Sequence, residues 1–120
     1  MIKEGYRGKA NYWGEYTAEK VVRLAEPVIC YSDKKGKALF NPTLVQIEWG
    51  RPPSGDKHEF WFRYWITFED EGKEQYGQYA PTMNEASLLE LLQKAIRREF
   101  FSDNFLLQLH KSITEKLNSK

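Results

Sequence analysis

Residues 58–69, His-Glu-Phe-Trp-Phe-Arg-Tyr-Trp-Ile-Thr-Phe-Glu, restrict the fold more than any other part of the chain. Wide aromatic and β-branched side chains at consecutive positions suit a pleated strand. Side chains alternate across a strand, so Phe60, Phe62, Tyr64, Ile66 and Phe68 share one face. That set is apolar and is expected in the core. The other face carries Glu59, Trp61, Arg63, Trp65, Thr67 and Glu69, two indoles around a guanidinium between acidic ends. It is too polar for ordinary core and too aromatic for ordinary surface. A covered face or a binding face is the expectation.

The surrounding sequence supplies the rest of a sheet. Residues 1–19 mix Gly5, Gly8 and Gly14 with Tyr6, Tyr12, Trp13 and Tyr16, which reads as an arm over the domain or an added edge strand. Val21 to Glu26 and Val28 to Tyr31 form one strand interrupted by Pro27, whose missing donor suits an edge or a bulge. Ser32-Asp33-Lys34-Lys35-Gly36 carries hairpin-turn chemistry, and the chain returns through Lys37 to Phe40 before Asn41-Pro42 breaks or bends it. In Thr43 to Trp49, Val45, Ile47 and Trp49 face one way and Gln46 and Glu48 the other, a half-buried strand. A polar loop over 51–57 leads into the aromatic strand, and 70–73 turn it back into a strand from Glu74 to Ala80, with Tyr76 and Tyr79 on opposite faces.

From Thr82 the period changes. Thr82 and Glu85 have capping-box spacing. Leu88, Leu89, Leu92, Ala95, Ile96 and Phe100 recur at helical intervals. Ser102-Asp103-Asn104 stops this helix and caps a second, lined by Leu106, Leu109, Ile113 and Leu117. The leucine-rich first helix is apolar over so wide an arc that it needs cover on two sides, from the sheet and second helix or from a dimer partner. The expected fold is α+β: an antiparallel meander of four to five strands over residues 20–80, then two helices over 83–101 and 104–117 packed on the sheet. Residues 20–120 form one domain, preceded by the arm at 1–19. The expected core contains Phe60, Phe62, Tyr64, Ile66, Phe68, Val45, Ile47, Leu88, Leu92 and Ile96.

Charge and motif content narrow the function. A net charge of +1 argues against a strongly basic nucleic-acid binder, so any recruiting field is local. Lys34, Lys35 and Lys37 crowd one hairpin, Arg51 and Lys57 flank the long loop, and Lys94, Arg97 and Arg98 cluster on the first helix. With Lys3, Arg7 and Lys9 they are candidates for a positive rim around the indoles. Glu90 lies four residues before Lys94, however, an order that stabilises a helix without any ligand. Glu69-Asp70-Glu71 lies on a turn where water solvates it, and a general acid needs burial to raise its pKa. His58 and His110 belong to no spaced ligand set, so no metal is expected. Nucleophile-elbow, phosphate-loop and dinucleotide-binding motifs do not occur. No cofactor and no catalysis are expected. Cys30, the single cysteine, sits in an apolar run and reads as a small buried hydrophobe. One cysteine, no signal-peptide pattern and no span-length apolar run make cytoplasm the expected location, without membrane attachment.

The order of elements, a strand meander followed by a capped helix, is similar to that of the single-stranded-DNA-binding Whirly and positive-cofactor-four type domains. The likeness concerns element order alone and enters as analogy. The residues themselves point to a small binding module. In one reading Trp61 and Trp65 stack bases of single-stranded nucleic acid while Arg63, Lys34, Lys35, Lys37, Arg51 and Lys57 form the basic contacts. In the other, the same tryptophan face is a dry interface to a protein partner or a second subunit.

Overall fold

The computed structural model describes residues 1–77 and 81–119. Among the described residues six strands and two helices follow one another: β1 (Arg7–Ala10), β2 (Gly14–Arg23), β3 (Val28–Ser32), β4 (Gly36–Trp49), β5 (His58–Phe68), β6 (Glu74–Tyr76), α1 (Glu85–Arg97) and α2 (Asp103–Asn118). All strands belong to one antiparallel sheet in the order β1-β2-β4-β5-β6, with β3 beside β4. The fold is α+β, as the change of period requires. The expected strand from Glu74 extends to Tyr76; the remainder of that expectation, including Tyr79, lies outside the described residues.

Strand β4 organises the sheet. One of its sides pairs with β5 over its whole central length, from Ala38–Phe68 to Glu48–His58. Its other side is shared: β2 pairs with Thr43–Trp49 and β3 with Gly36–Phe40. The interrupted strand expected around Pro27 is therefore present as β2 and β3. The break expected at Asn41-Pro42 is not, because β4 continues through both residues. Pro42 is tolerated in this central strand because Asn41 and Pro42 stand opposite the gap between β2 and β3, where no ladder bond is needed. The hairpin between β3 and β4 closes as its sequence predicts. Ser32 Oγ accepts from the Lys34 and Lys35 amides at 3.2 Å each, and Gly36 adopts a φ of 74°.

A bulge sets which residues of β2 face which way. The register slips between Ala18 and Lys20, so Ala18 opposes Ile47 while Val21 opposes Val45. One extra residue thus turns both Ala18 and Val21 to the same face. That face holds one core, Ala18, Val45, Ile47 and Trp49, with Ile2, Ala10, Tyr16, Val21 and Trp61 packed on it. The opposite face holds a second core of Val22, Leu24, Leu44, Leu91, Ala95 and Phe100, where α1 lies on the sheet.

The expected single core is therefore divided and differently filled. Val45 and Ile47 are buried, but on the tryptophan side of the sheet. Phe60 and Phe62, expected in the core, are 41% and 42% exposed, because α1 covers β2 and β4 and leaves this part of β5 open. Leu88 and Ile96 are exposed on α1, and Leu91 and Ala95 take the buried positions instead. Asn84, not Thr82, caps α1: its Oδ1 accepts from the Ser87 amide at 2.7 Å. Ser102 caps α2 as its position suggests, accepting from Phe105 N–H at 3.1 Å.

Between the helices the chain makes a tight reversal. Phe100 N–H donates to Ala95 O at 3.0 Å and Glu99 N–H to Ile96 O at 3.1 Å, with Glu99 at φ 58°. This is the Schellman pattern with glutamate at the left-handed position. Sheet side chains hold the reversal: Lys20 Nζ donates to Arg98 O (2.9 Å) and Glu99 O (3.1 Å), and Gln46 Nε2 to Phe100 O (3.0 Å). No helix among the described residues is long and apolar enough to cross a membrane.

Candidate binding groove

The face opposite α1 collects the aromatic residues. Register places Trp61 beside Val45, Arg63 beside Thr43 and Trp65 beside Asn41, with Tyr16 beside Trp49 across β2 and β4. These rings pack on one another at their edges. Tyr16 meets Trp61 at 4.5 Å and Trp49 at 6.0 Å, Trp49 meets Trp61 at 6.1 Å, and Trp65 meets Tyr76 of β6 at 5.7 Å. Edge-to-face contact is the arrangement that ring quadrupoles favour.

The amino-terminal residues cross this face. Gly5 N–H donates to Ala18 O at 2.7 Å, and Ala18 N–H to Tyr6 O at 2.8 Å. Glu4 accepts from the Val21 amide at 3.1 Å and from the Arg98 guanidinium at 2.6 Å, and the Met1 amino group pairs with Glu74 at 2.7 Å. Burial alone would raise the Glu4 pKa. The Val21 and Arg98 hydrogen bonds and the charges of Arg98 and Lys20 outweigh it and hold the carboxyl below its ordinary value. Residues 1–3 reach across the sheet toward Glu74, Gly5 and Tyr6 hydrogen-bond to Ala18, and β1 pairs with β2 as an edge strand.

Two adjoining cavities result. One, of about 480 Å³, is lined by Met1, Ile2, Lys3, Tyr6, Tyr16, Trp61, Arg63, Trp65 and Tyr76. The next, of about 530 Å³, is lined by Ala10, Trp13, Trp49, Pro53, Ser54, Glu59, Trp61 and Arg63. Trp61 and Arg63 belong to both, so the two form one groove. All four tryptophans of the chain line it.

Arg63 stands at its centre. The guanidinium lies 3.9 Å from the Trp61 ring centroid and 5.3 Å from that of Tyr76. Among the described residues no carboxylate pairs with it. Burial lowers its pKa from the ordinary value, opposed only by interaction with Tyr16. Tyr16 is itself raised, by burial first and by Tyr6 second. A half-buried cation sandwiched by rings and lacking a counterion is a ready partner for an anionic, planar ligand. The groove also contains one acid. Glu59 accepts from Trp49 Nε1 at 2.8 Å and Ser54 Oγ at 2.6 Å, and these two hydrogen bonds keep its carboxyl below the ordinary range.

The residues singled out from the sequence divide accordingly. Trp61, Arg63 and Trp65 meet in the groove, but Trp65 is only 8% exposed and forms its floor. Lys34, Lys35 and Lys37 belong to the β3–β4 hairpin, where Lys35 pairs with Glu71 at 2.9 Å and lies over Phe68. Lys37 shares the aromatic face, four residues before Asn41, yet does not line the groove. Arg51 and Lys57 lie beyond the other end of β4, and Lys57 pairs with Glu48 at 2.6 Å. Fourteen residues of strand separate the two clusters, roughly 45 Å along β4. They do not form one rim. The cations that border the groove are Arg63 and Lys3. Arg7 and Lys9 line a further hollow of about 490 Å³ that shares Tyr16 with it.

Trp13, Trp49 and Tyr76 enter the site without having been singled out for it. The β4–β5 register brings Trp49 beside Trp61, the β5–β6 register sets Tyr76 opposite Trp65, and the β1–β2 turn carries Trp13 to the same end. Among the described residues no group of His, Cys, Asp and Glu is placed to hold a metal ion. No protein-family model, curated protein or solved structure matches the chain.

Proposed function

We propose that the chain is a non-catalytic binding module that holds a short stretch of single-stranded nucleic acid in the tryptophan-lined groove. One observation carries this reading: the four tryptophans of the chain line one groove around a guanidinium with no ion-pair partner among the described residues. Stacking on an aromatic contributes about 1–3 kcal/mol per base and tolerates any base. Exposed Trp13 and half-buried Trp61 offer ring surface to bases, Trp49 and Trp65 floor the groove, and Arg63 meets phosphate. Lys3, rather than the hairpin lysines, lies close enough to follow the backbone; Arg7 and Lys9 pair with Thr17 and Glu15 and share the other face of the sheet with Glu48.

The test is indole fluorescence during titration with an oligonucleotide of roughly one OB-fold site length, about 4–16 nucleotides. Quenching is expected, with affinity falling as salt rises; about two cation contacts, from Arg63 and Lys3, give a log–log slope near −1.4 on a single strand. Absence of quenching at low salt overturns the reading. Salt-insensitive association that Trp61→Ala abolishes would instead mark the groove as a dry interface to a protein partner or second subunit. The apolar lining contributed by Ile2, Tyr6, Tyr16 and Tyr76 favours that alternative.

A further inference from the structure

We infer that two copies of this chain associate by exchanging α2, each helix lying on the uncovered phenylalanine face of the other copy. The inference concerns the side of the sheet opposite the groove and does not depend on what the groove binds.

Helix α2 has sixteen residues and none is buried. Its Phe105, Leu109, Ile113 and Leu117 recur every four residues and are 46%, 39%, 50% and 60% exposed. An isolated helix of about 12–15 residues is marginal in water, and in proteins packing of the apolar stripe supplies most of the stability. Apart from Phe105, which stacks on Phe101, this stripe has no burying partner among the described residues. The second half of the arrangement is the open part of β5. Phe60 and Phe62 lie exposed beside α1 on the helix side of the sheet. Ring contacts join the two surfaces: Phe60 meets Phe101 at 5.1 Å, and Phe101 stacks on Phe105 at 4.8 Å. A single apolar strip therefore runs from β5 onto α2.

The chain leaves this strip open. Lys20 and Gln46 hold the carbonyls of Arg98, Glu99 and Phe100, which fixes the reversal and the direction in which α2 leaves. A second copy supplies what each surface lacks. The helix is about 24 Å long and about 10 Å wide, a footprint of roughly 240 Å² on each surface it joins. One helix docked one way covers about 500 Å², well short of the 1,200–2,000 Å² of specific interfaces. Reciprocal exchange doubles this to about 1,000 Å² before side-chain interdigitation, close to that range. The arithmetic favours a two-fold pair over capture of one foreign helix.

Sedimentation equilibrium of the full chain tests it. At about 50 µM, above the micromolar constants at the weak end for such interfaces, a dimer is expected. It should persist in about 1 M salt, where the screening length is about 3 Å. The double variant Ile113→Asp, Leu117→Asp, and separately Phe62→Asp, should each raise the dissociation constant about 30-fold or more. Lys111→Ala, on the polar side of α2, should leave it unchanged. Mixing the helix variant with Phe62→Asp should not restore the dimer, because the single contact left, one intact helix on one intact face, covers only about 500 Å². Near-ultraviolet circular dichroism of each variant verifies the fold, since every altered side chain is exposed. A wild-type monomer at 50 µM overturns the inference. So does a dimer indifferent to Phe62→Asp, or a mixture of the two variants that dimerises as tightly as the unaltered chain.

Discussion

Replacing Arg63 with methionine separates the charge at the centre of the groove from the bulk that carries it. The guanidinium lies over Trp61 at 3.9 Å and near Tyr76 at 5.3 Å, a contact of about 0.5–2 kcal/mol depending on desolvation. Burial, which lowers the Arg63 pKa, opposes the charged form, and no carboxylate among the described residues offsets that cost. Methionine keeps an unbranched stem and regains about 0.3–1.5 kcal/mol from sulfur against the rings. The opposing contributions nearly cancel, so folding stability should change by less than about 1 kcal/mol. Binding behaves differently. A charged hydrogen bond to phosphate is worth about 1.5–3 kcal/mol, so affinity for the oligonucleotide should fall about 10- to 150-fold. The salt slope should become shallower by about 0.7. Urea unfolding followed by near-ultraviolet circular dichroism reads the first quantity, and quenching titrations at several salt concentrations read the second. A stability loss above about 2 kcal/mol, as for a broken buried network, would make Arg63 structural. Unchanged affinity would remove it from the site.

Other consequences can be measured independently. Glu99→Gly should stabilise the fold by about 0.5–1 kcal/mol, because glycine adopts the left-handed conformation without strain; a lower urea midpoint would contradict the Schellman geometry. Gly77→Ala should cost about 1–3 kcal/mol, since a Cβ there falls within the Tyr64 ring while the Gly77 amide donates to Tyr64 O. A neutral result would mean that β6 does not approach β5 so closely. The folded pKa of Glu4 is depressed below 4.5. Its contribution to holding the arm is therefore complete above that value and lost as pH falls through the lower, folded pKa. Hydrogen exchange at the Val21 amide should accelerate in that acid window, and Glu4→Gln should remove the transition; identical profiles would sink the assignment.

How much of this was legible in the sequence follows from which interactions are local. The alternation over 58–69 placed Trp61, Arg63 and Trp65 on one face, and the helical period located α1 and α2, because both patterns arise within single elements. Three features escaped it. Pro42 sits inside β4 because β2 and β3 leave a gap opposite it, which is a property of three strands together. The slip between Ala18 and Lys20 reverses side-chain parity within β2, and alternation cannot show that. The phenylalanine face was expected in the core because it is apolar, yet cover depends on where α1 lies, and α1 follows β2 and β4. The candidate groove was legible at its centre and not at its edges, because Trp61, Arg63 and Trp65 share one strand. The placement of Lys3, Trp13, Trp49 and Tyr76 around it required the arm, the β2–β4 register and β6.

The indole Nε1–H resonances of the four tryptophans, followed by NMR as oligonucleotide is added, address the groove most directly. The Trp13 and Trp61 signals should move together and saturate together. Trp49, whose Nε1–H is held by Glu59, should shift less, and the amides of the 34–37 hairpin should stay in place. Stationary indoles, or shifts confined to the hairpin lysines, would contradict a binding site among these rings.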